Sequence, residues 1–295
     1  MSEDALWPRA ASWLKPAEGR VDVAVFGVPA HLTSISTTGA DATPGAIRQA
    51  LLRYSTYNWS HDIDLATVSA GDFGDVDSPD SPEGEARTSA LAENAVANSQ
   101  LAVALGGDNS VTFAAARGAF AGDLSNAGLI TFDAHHDLRD GISNGSPVRR
   151  LIETGLPGNR VVQIGIADFS NSPAYAARAR ELGITVIPRS ALRNRSLAEV
   201  WAEAVAIAGN GTDGIHVDFD VDVCDRAFVP ACPAAAPGGI SADELREFAF
   251  LAGSTNSVRS LDITEIDATA DSKDGRTVRL GALLILEAAA GVAKR

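Results

Sequence analysis

Two short apolar runs that end in acidic residues constrain this chain more than any other feature. The first, residues 129–137, reads LITFDAHHD and places Asp133, His135 and Asp137 at alternate positions. Alternate side chains of an extended backbone point the same way, so these three are predicted to converge on one point. The second, residues 214–222, reads GIHVDFDVD and also ends in alternating carboxylates. Side by side in a parallel sheet, the two runs would pool oxygen and nitrogen ligands, which indicates a two-metal site.

Each of these acids also has an ordinary structural interpretation. A single aspartate at the end of a strand is more often a helix N-cap or a turn residue. Several carboxylates on two buried strands are harder to explain in that way, because a buried charge is costly unless it meets a cation. Taken together, the two runs favour metal binding.

Composition limits the class of protein. With 45% hydrophobic and 21% charged residues, the 295-residue chain is expected to be globular, and no apolar run approaches the roughly 20 residues that span a bilayer. The net charge of -14 argues against nucleic acid as a partner. The first twenty residues lack the pattern of a secretory signal, and Cys224 and Cys232 fit reduced, packed thiols. We therefore expect a cytoplasmic protein with no membrane segment.

The order of apolar runs and turn signals predicts strands that alternate with helices. The predicted strands are 21–28, 65–70, 101–105, 129–132, 160–166, 185–187, 215–219 and 258–263. Predicted helices include one capped by Thr43 with Pro44 at its first position, 86–98, one from Val111, and 276–290, while 75–85 is predicted to be a surface loop.

Eight strands with intervening helices predict a three-layer α/β/α sandwich with a mainly parallel sheet. A closed eight-stranded barrel is the alternative. In either architecture the active site is expected at the carboxyl ends of the strands, where both acidic runs end. No internal boundary is visible, so we expect residues 1–20 to form an N-terminal extension and residues 21–295 to form a single domain.

Three spaced motifs resemble those of the ureohydrolases, the family of arginase, agmatinase and formimidoylglutamase. Residues 106–110 (GGDNS) resemble its GGDHS motif, and residues 133–137 match DAHxD. Residues 219–225 (FDVDVCD) match SFDxDxxDP up to the last residue, where Arg226 replaces proline. The resemblance covers about residues 21–290 and is nearest to formimidoylglutamase. It implies an arginase-like catalytic domain and a homo-oligomer, either a trimer or a hexamer.

The resemblance also implies a binuclear manganese site and roles for individual residues. The implied metal ligands are Asn109, Asp133, His135, Asp137, Asp220 and Asp222, with Asp133 and Asp220 bridging the two ions. Asp218 then has a structural role. The implied catalytic residues are Asp137, which transfers a proton, and Glu265, which receives the cationic N–H groups of the substrate. The implied reaction is hydrolysis of a linear C–N bond in an amidine or guanidine.

Two departures from the family pattern refine these expectations. Asn109 replaces a histidine ligand, and because an amide oxygen is the weaker donor, one manganese should be held more loosely. Asn144 stands where arginases and agmatinases tend to have a histidine, and the Gly-Ser-Pro that follows it is closer to formimidoylglutamases. The expected substrate is therefore N-formimidoyl-L-glutamate, cleaved to L-glutamate and formamide.

Asn144 and Glu265 are expected to bind this substrate, together with an arginine that pairs with its carboxylates. Arg149 is the predicted arginine, and Arg150 and Arg139 are alternatives.

Two other functions stay open. The acidic net charge favours agmatine or another cationic guanidine, which would release urea. Alternatively, the chain is a non-catalytic relative with an impaired metal site. Against this, five of the six implied ligands are intact, and so many buried acids would be destabilising without a cation.

Overall fold

The fold is known from a computed structural model that describes residue 4 and residues 6–295. Its strands are β1 Leu14–Pro16, β2 Val23–Val28, β3 Tyr57–Asn58, β4 Ile63–Asp64, β5 Ala70–Asp75, β6 Leu101–Gly106, β7 Ala127–Phe132, β8 Val161–Ile166, β9 Thr185–Pro188, β10 Gly214–Asp220 and β11 Val258–Thr264. Its helices are α1 Thr43–Ala50, α2 Pro82–Ala97, α3 Val111–Ala119, α4 Pro147–Glu153, α5 Pro173–Glu181, α6 Arg189–Leu192, α7 Leu197–Ala208, α8 Ala242–Ser254 and α9 Arg276–Val292.

Nine strands form one sheet in the order β1-β5-β2-β6-β11-β10-β7-β8-β9, and every neighbouring pair is parallel. The sheet is open, with β1 and β9 as its edges, so the barrel alternative is wrong. The predicted mainly parallel sheet between helices is confirmed. It has nine strands rather than eight because β1, within the predicted N-terminal extension, adds an edge strand beside β5.

The two faces of the sheet are covered by different sets of helices. On one face, Val217 and Phe219 of β10 join a single apolar core with Phe248 of α8 and Leu284 of α9. On the other face, helices α2 to α5 pack through two smaller apolar clusters. The parallel crossovers thus bury both faces, as this architecture requires.

The three central strands carry polar residues on the face that α3 covers. His216 and Asp218 of β10 alternate with the apolar residues of the opposite face, and both are buried. His216 lies in hydrogen-bonding contact with Ser260 and Asp262 of the neighbouring strand β11, at 2.7 and 3.0 Å. This polar face leads directly to the carboxyl ends of the strands, where the predicted ligands lie.

The strand predicted at residues 65–70 is wrong. Residues Leu65–Thr67 form a 3-10 turn, because the side chain of Asp64 accepts a hydrogen bond from the backbone N–H of Ala66. The strand is β5, whose sequence AGDFGD has two glycines and two acids and therefore lacks an apolar pattern.

Two predicted helix boundaries are also wrong. Helix α2 begins at Pro82, four residues before the predicted start, because Ser81 accepts a hydrogen bond from the N–H of Gly84 and acts as N-cap. The predicted loop 75–85 therefore contains the first turn of α2. Thr43 is the first residue of α1 rather than its cap, because its hydroxyl donates to the carbonyl of Ile266 at 2.5 Å.

No helix among the described residues has both the length and the apolar character needed to cross a membrane.

The buried hydroxyl of Thr43 ties α1 to the segment that carries the predicted residue Glu265. Thr43→Val keeps the shape of the side chain but leaves the Ile266 carbonyl without this donor, so we expect a loss of about 1–3 kcal/mol in the free energy of unfolding. Thr43→Ser keeps the hydroxyl and is the matched control. Urea denaturation of both variants measures the difference, and equal stability of the two would contradict it.

Candidate active site

A cavity of about 270 Å³ opens at the carboxyl ends of the central strands. It is lined by Ile35, Ser36, His135, Asp137, Leu138, Arg139, Asn144, Gly145, Ser170, Asn171, Ser172, Tyr175, Asp220, Asp222, Ala234 and Glu265. Most of the predicted site residues are in this set. The cavity therefore lies where the parallel sheet was expected to place its active site.

Asp133, His135 and Asp222 form the tightest group of potential metal ligands. One ligand atom from each lies within 4.8 Å of the others. His135 Nδ1 is 2.7 Å from Asp222 Oδ2 and 3.5 Å from Asp133 Oδ1, so two acidic runs meet at this imidazole. Asp133 Oδ2 is buried and has no hydrogen-bond partner among the described residues. A charged carboxylate oxygen buried without a partner is costly unless a proton or a cation compensates it.

The charges in this group perturb one another strongly. Burial, together with the charge of Asp222, raises the pKa of Asp133 to about 6. Burial alone would lower the pKa of His135, but hydrogen bonds to Asp133 and Asp222 raise it to about 12. The imidazolium thus partly neutralises the acids, and a cation that replaced its proton would do the same.

Asp220 and Asp137 complete the acidic cluster. Burial, and then the charges of Asp222 and Asp133, raise the pKa of Asp220 well above its usual value. The pKa of Asp137 is raised in the same direction, first by burial and then by Asp133. Asp218 lies on β10 two residues before Asp220, beside Asp262 of β11, and it does not line the cavity. A structural role for Asp218 stays a prediction.

The prediction that Asp133, His135 and Asp137 alternate along a strand is wrong in its geometry. Strand β7 ends at Phe132, and Asp137 has a left-handed backbone with φ of +53°. The three residues approach the cavity through turns rather than through the pleat of a strand. A strand could not bring Asp137 back toward residue 109, whereas this turn does.

Asn109 contacts Asp137 but presents nitrogen to it. Its Nδ2 donates to Asp137 Oδ2 at 2.5 Å, and its Oδ1 accepts hydrogen bonds from the hydroxyls of Thr112 and Thr264, each at 2.9 Å. Binding of a metal through the amide oxygen would require the amide to turn over. The two hydroxyls permit this, because a hydroxyl can accept as well as donate.

Glu265 follows β11 and is held by two residues of the predicted site. Its Oε1 accepts from the backbone N–H of Asn109 at 2.8 Å and from Asn144 Nδ2 at 2.9 Å. Burial raises the pKa of Glu265 to about 7, although the hydrogen bond from Asn144 opposes this rise. Asn144 and Glu265, both predicted to bind substrate, are therefore in direct contact.

The three candidate arginines lie in different places. The guanidinium of Arg149 contacts Glu153 and the carbonyls of Arg139 and Gly141, and it does not line the cavity. Arg150 forms two hydrogen bonds with Glu85, at 2.7 and 2.8 Å. Arg139 is the only arginine or lysine among the described residues that line the cavity.

Glycine at position 145 makes room for Arg139. A Cβ added to Gly145 would lie 2.7 Å from Arg139 Cδ, so any larger residue there would displace the arginine side chain. The glycine of the Gly-Ser-Pro run after Asn144 thus leaves space for the side chain of Arg139.

Four cavity residues that follow β8 were not predicted from the sequence. Ser170, Asn171, Ser172 and Tyr175 line the cavity. The side chain of Asn171 also fixes the loop that carries the acids, because it donates to the carbonyl of Ala134 and accepts from the N–H of His136, each at 2.9 Å. The one available signal was positional, since β8 ends at the same edge of the sheet as β7.

His136 and the two cysteines are buried. His136 Nδ1 lies 2.7 Å from Gln163 Oε1, away from the acidic cluster. Cys224 and Cys232 are buried free thiols.

The raised pKa values predict how the metal-free protein responds to pH. A group whose pKa is higher in the folded protein stabilises the fold below its unfolded pKa and loses this effect as the pH rises. For Asp133 and Glu265 this stabilisation is lost between about pH 4 and 7. For His135 the loss of stabilisation begins near pH 6.5. We therefore expect the Tm of chelator-treated protein to fall by at least about 2–4 °C between pH 5 and 8, the shift that about 1 kcal/mol produces in a chain of this size.

Differential scanning calorimetry across this pH range measures the effect. Asp133→Asn removes one of the buried charges and should make the fall in Tm between pH 5 and 8 smaller. A Tm that rises between pH 5 and 8 would be incompatible with an uncompensated acidic cluster.

Comparison with known proteins supports one family. The model of the arginase family matches residues 21–291. A formimidoylglutamase of Halalkalibacterium halodurans is 38% identical over 94% of this chain and 90% of its own length. The crystal structure of formimidoylglutamase from Bacillus subtilis superposes with a TM-score of 0.92 at 30% identity, covering 99% of this chain and 94% of that one. A formiminoglutamase from Trypanosoma cruzi with Mn²⁺, which is 24% identical, has the same fold with a TM-score of 0.90 and covers 98% of this chain and 99% of its own. The fold, the acidic cluster and these similarities together establish that the chain belongs to the arginase family.

Proposed function

We propose that this protein is a metal-dependent hydrolase that converts N-formimidoyl-L-glutamate and water to L-glutamate and formamide. The observation that carries the proposal is a pair of opposite charges in one cavity. An acidic cluster suits the cationic formimidoyl group, and Arg139 suits the carboxylates at the other end of the substrate. Relatives that bear the name formimidoylglutamase and match most of the chain support this substrate.

The acidic cluster fits a divalent metal. The cluster combines one imidazole with several carboxylates, and hard divalent ions such as manganese prefer oxygen ligands with some nitrogen. We propose that Asp133, His135, Asp137, Asp220 and Asp222 hold two manganese ions per chain, with Asn109 as the sixth and weakest ligand. When bound, two such ions would lower the pKa of a water molecule and orient it for attack. Manganese in the Trypanosoma cruzi relative supports this choice of metal.

Glu265 is proposed to orient the substrate. Its carboxylate lies in the wall of the cavity beside Asp137, where it can accept hydrogen bonds from the N–H groups of the formimidoyl cation. This pairing would place the central carbon of the formimidoyl group next to the acidic cluster. Fixing the reacting carbon in this way removes much of the entropic cost of the reaction.

Asp137 is proposed to move the proton. Its carboxylate lines the cavity together with the proposed ligands His135, Asp220 and Asp222, where an attacking water would lie, so it is placed to accept and return a proton. It would take a proton as water adds to the formimidoyl carbon and would give it to the nitrogen of glutamate as the C–N bond breaks. The imine nitrogen stays with the carbon and leaves as the amino group of formamide, which balances the reaction.

Activity with a small panel of substrates tests this proposal. Protein incubated with manganese should release formamide and glutamate from N-formimidoyl-L-glutamate faster than it releases urea from agmatine or arginine. Arg139→Met should raise the KM for N-formimidoyl-L-glutamate about 10–100-fold, because one charge-assisted hydrogen bond to a carboxylate contributes about 1.5–3 kcal/mol.

Arg149→Met is the matched control, because Arg149 lies outside the cavity lining, and its KM should change little. Faster release of urea from agmatine would favour the guanidine alternative. Release of neither product by folded, metal-loaded protein would favour the non-catalytic alternative. A trimeric or hexameric assembly stays a prediction.

The weak metal site can be tested separately from activity. Asn109→His replaces an amide by an imidazole next to Asp137, so we expect one of two manganese ions to bind at least about tenfold more tightly. Equilibrium dialysis with manganese, followed by elemental analysis, measures both the stoichiometry and the affinity. Asn144→His introduces an imidazole beside Glu265 instead and serves as the control. A wild-type stoichiometry of one, unchanged in Asn109→His, would contradict the two-ion proposal.

A further inference from the structure

The carboxylate of Glu265 offers only one oxygen to a ligand. Oε1 already accepts two hydrogen bonds, from the N–H of Asn109 and from Asn144 Nδ2, at 2.8 and 2.9 Å. Two donors use both lone pairs of that oxygen. Oε2 accepts no hydrogen bond from the residues that the structure describes, and Glu265 lines the cavity. A cationic group that enters the cavity therefore finds Oε2 available and Oε1 occupied.

The amide of Asn144 is fixed in this orientation from its other side. Its Oδ1 accepts a hydrogen bond from the backbone N–H of Ile35 at 3.1 Å. The backbone N–H of Asn144 donates to the carbonyl of Thr33 at 3.2 Å. If the amide turned over, its oxygen would face Glu265 Oε1 and its NH₂ group would face the N–H of Ile35. Both contacts would be repulsive, so the NH₂ group stays directed at Glu265.

The number of acceptor oxygens matters because the two candidate substrate classes differ in donors. A guanidinium ion pairs with a carboxylate through two parallel N–H groups, one to each oxygen. A formimidoyl cation carries hydrogen on its central carbon where a guanidinium carries a further amino group. On the edge that faces away from the glutamate nitrogen, it therefore presents an N–H donor from one nitrogen only, whereas a guanidinium presents one from each of two. A guanidinium placed at Glu265 would meet the NH₂ group of Asn144 instead of a free oxygen and would leave a buried N–H without a partner.

We propose that Asn144 is a specificity-determining residue that occupies Glu265 Oε1 and thereby selects formimidoyl substrates over guanidino substrates. This inference rests on the proposed function and adds the reason for the choice between its two substrate classes. The backbone N–H of Asn109 occupies the same oxygen in any variant. The side chain at position 144 is thus the group that decides whether Oε1 can accept a hydrogen bond from a substrate.

Two compounds that differ only at the reacting carbon test the proposal. N-formimidoyl-L-glutamate and N-amidino-L-glutamate share the same two carboxylates, and hydrolysis of either releases glutamate. The measured quantity is the ratio of their kcat/KM values in manganese-loaded protein. A loss of general stability or of metal would lower both values, whereas a loss of selectivity changes their ratio.

Three variants separate the contacts of Asn144. Asn144→Leu removes the donor to Glu265 Oε1 without adding an acceptor, and it should shift the ratio toward the guanidino compound at least about tenfold. Asn144→Ala removes the same donor with a smaller side chain and should shift the ratio in the same direction. Ser34→Ala removes only the 3.5 Å contact of Ser34 with Asn144 and should leave the ratio unchanged.

Calorimetric titration of the metal-free proteins with both compounds measures binding without turnover. It therefore tests the inference independently of catalysis. The ratio of the two dissociation constants should change in the same direction in Asn144→Leu as the ratio of kcat/KM values. Kinetic and binding ratios that stay within twofold of wild type in both Asn144 variants would overturn the inference. If metal-loaded wild type hydrolyses neither compound, the proposed function fails, and the binding ratios still decide the role of Asn144.

Discussion

Repulsion among buried carboxylates at the carboxyl edge of the sheet is the interaction on which the site depends. Asp133, Asp137, Asp220, Asp222 and Glu265 are all almost completely buried. Two unit charges 4 Å apart repel by about 4 kcal/mol at the effective dielectric constant of a protein surface. A chain that is stable by about 5–15 kcal/mol cannot hold several such pairs without compensation. In the metal-free protein, bound protons reduce this repulsion. Bound cations would reduce it while the same residues stay ionised.

The scaffold accepts local strain in order to bring these groups together. Asp137 and Glu265 both have left-handed backbones, with φ of +53° and +64°, which is unfavourable for residues with a side chain. Glu265 is held there by its N–H, which donates to the carbonyl of Gly107 at 2.9 Å. Gly107 in turn has no room for a side chain, because an added Cβ would lie 1.9 Å from the carbonyl oxygen of Ala30. The glycine motif after β6 therefore positions Glu265.

Most of the fold could be predicted from the sequence because its buried strands are short apolar runs. Strands β7 and β10 and the meeting of their acidic ends followed from such runs together with the geometry of parallel sheets. The prediction failed where the pattern is weak, as in β5, whose six residues include two glycines and two acids. It also failed where a side chain overrides the pattern, as with Ser81 and Thr43 at the starts of α2 and α1.

The sequence pointed to the acidic residues of the candidate site but not to the directions in which its side chains lie. The spacing of Asp133, His135 and Asp137 predicted that these residues would lie near one another, although the left-handed backbone of Asp137 has no signature in that spacing. Local sequence could not distinguish Arg139 from Arg149, because Arg149 is held outside the cavity lining by contacts with Glu153 and the carbonyls of Arg139 and Gly141. Nor could sequence reveal that the amide of Asn109 directs its nitrogen at Asp137, since long-range contacts with Thr264 set that orientation.

We propose that acids from separate strands meet around cations and need them. Anomalous diffraction at the manganese edge, from crystals grown with manganese at neutral pH, shows whether they do. We expect strong anomalous peaks between the carboxylates of Asp133 and Asp220, with His135 and Asp222 next to one peak and Asp137 next to the other. A well-ordered map with no anomalous density among these residues would contradict it.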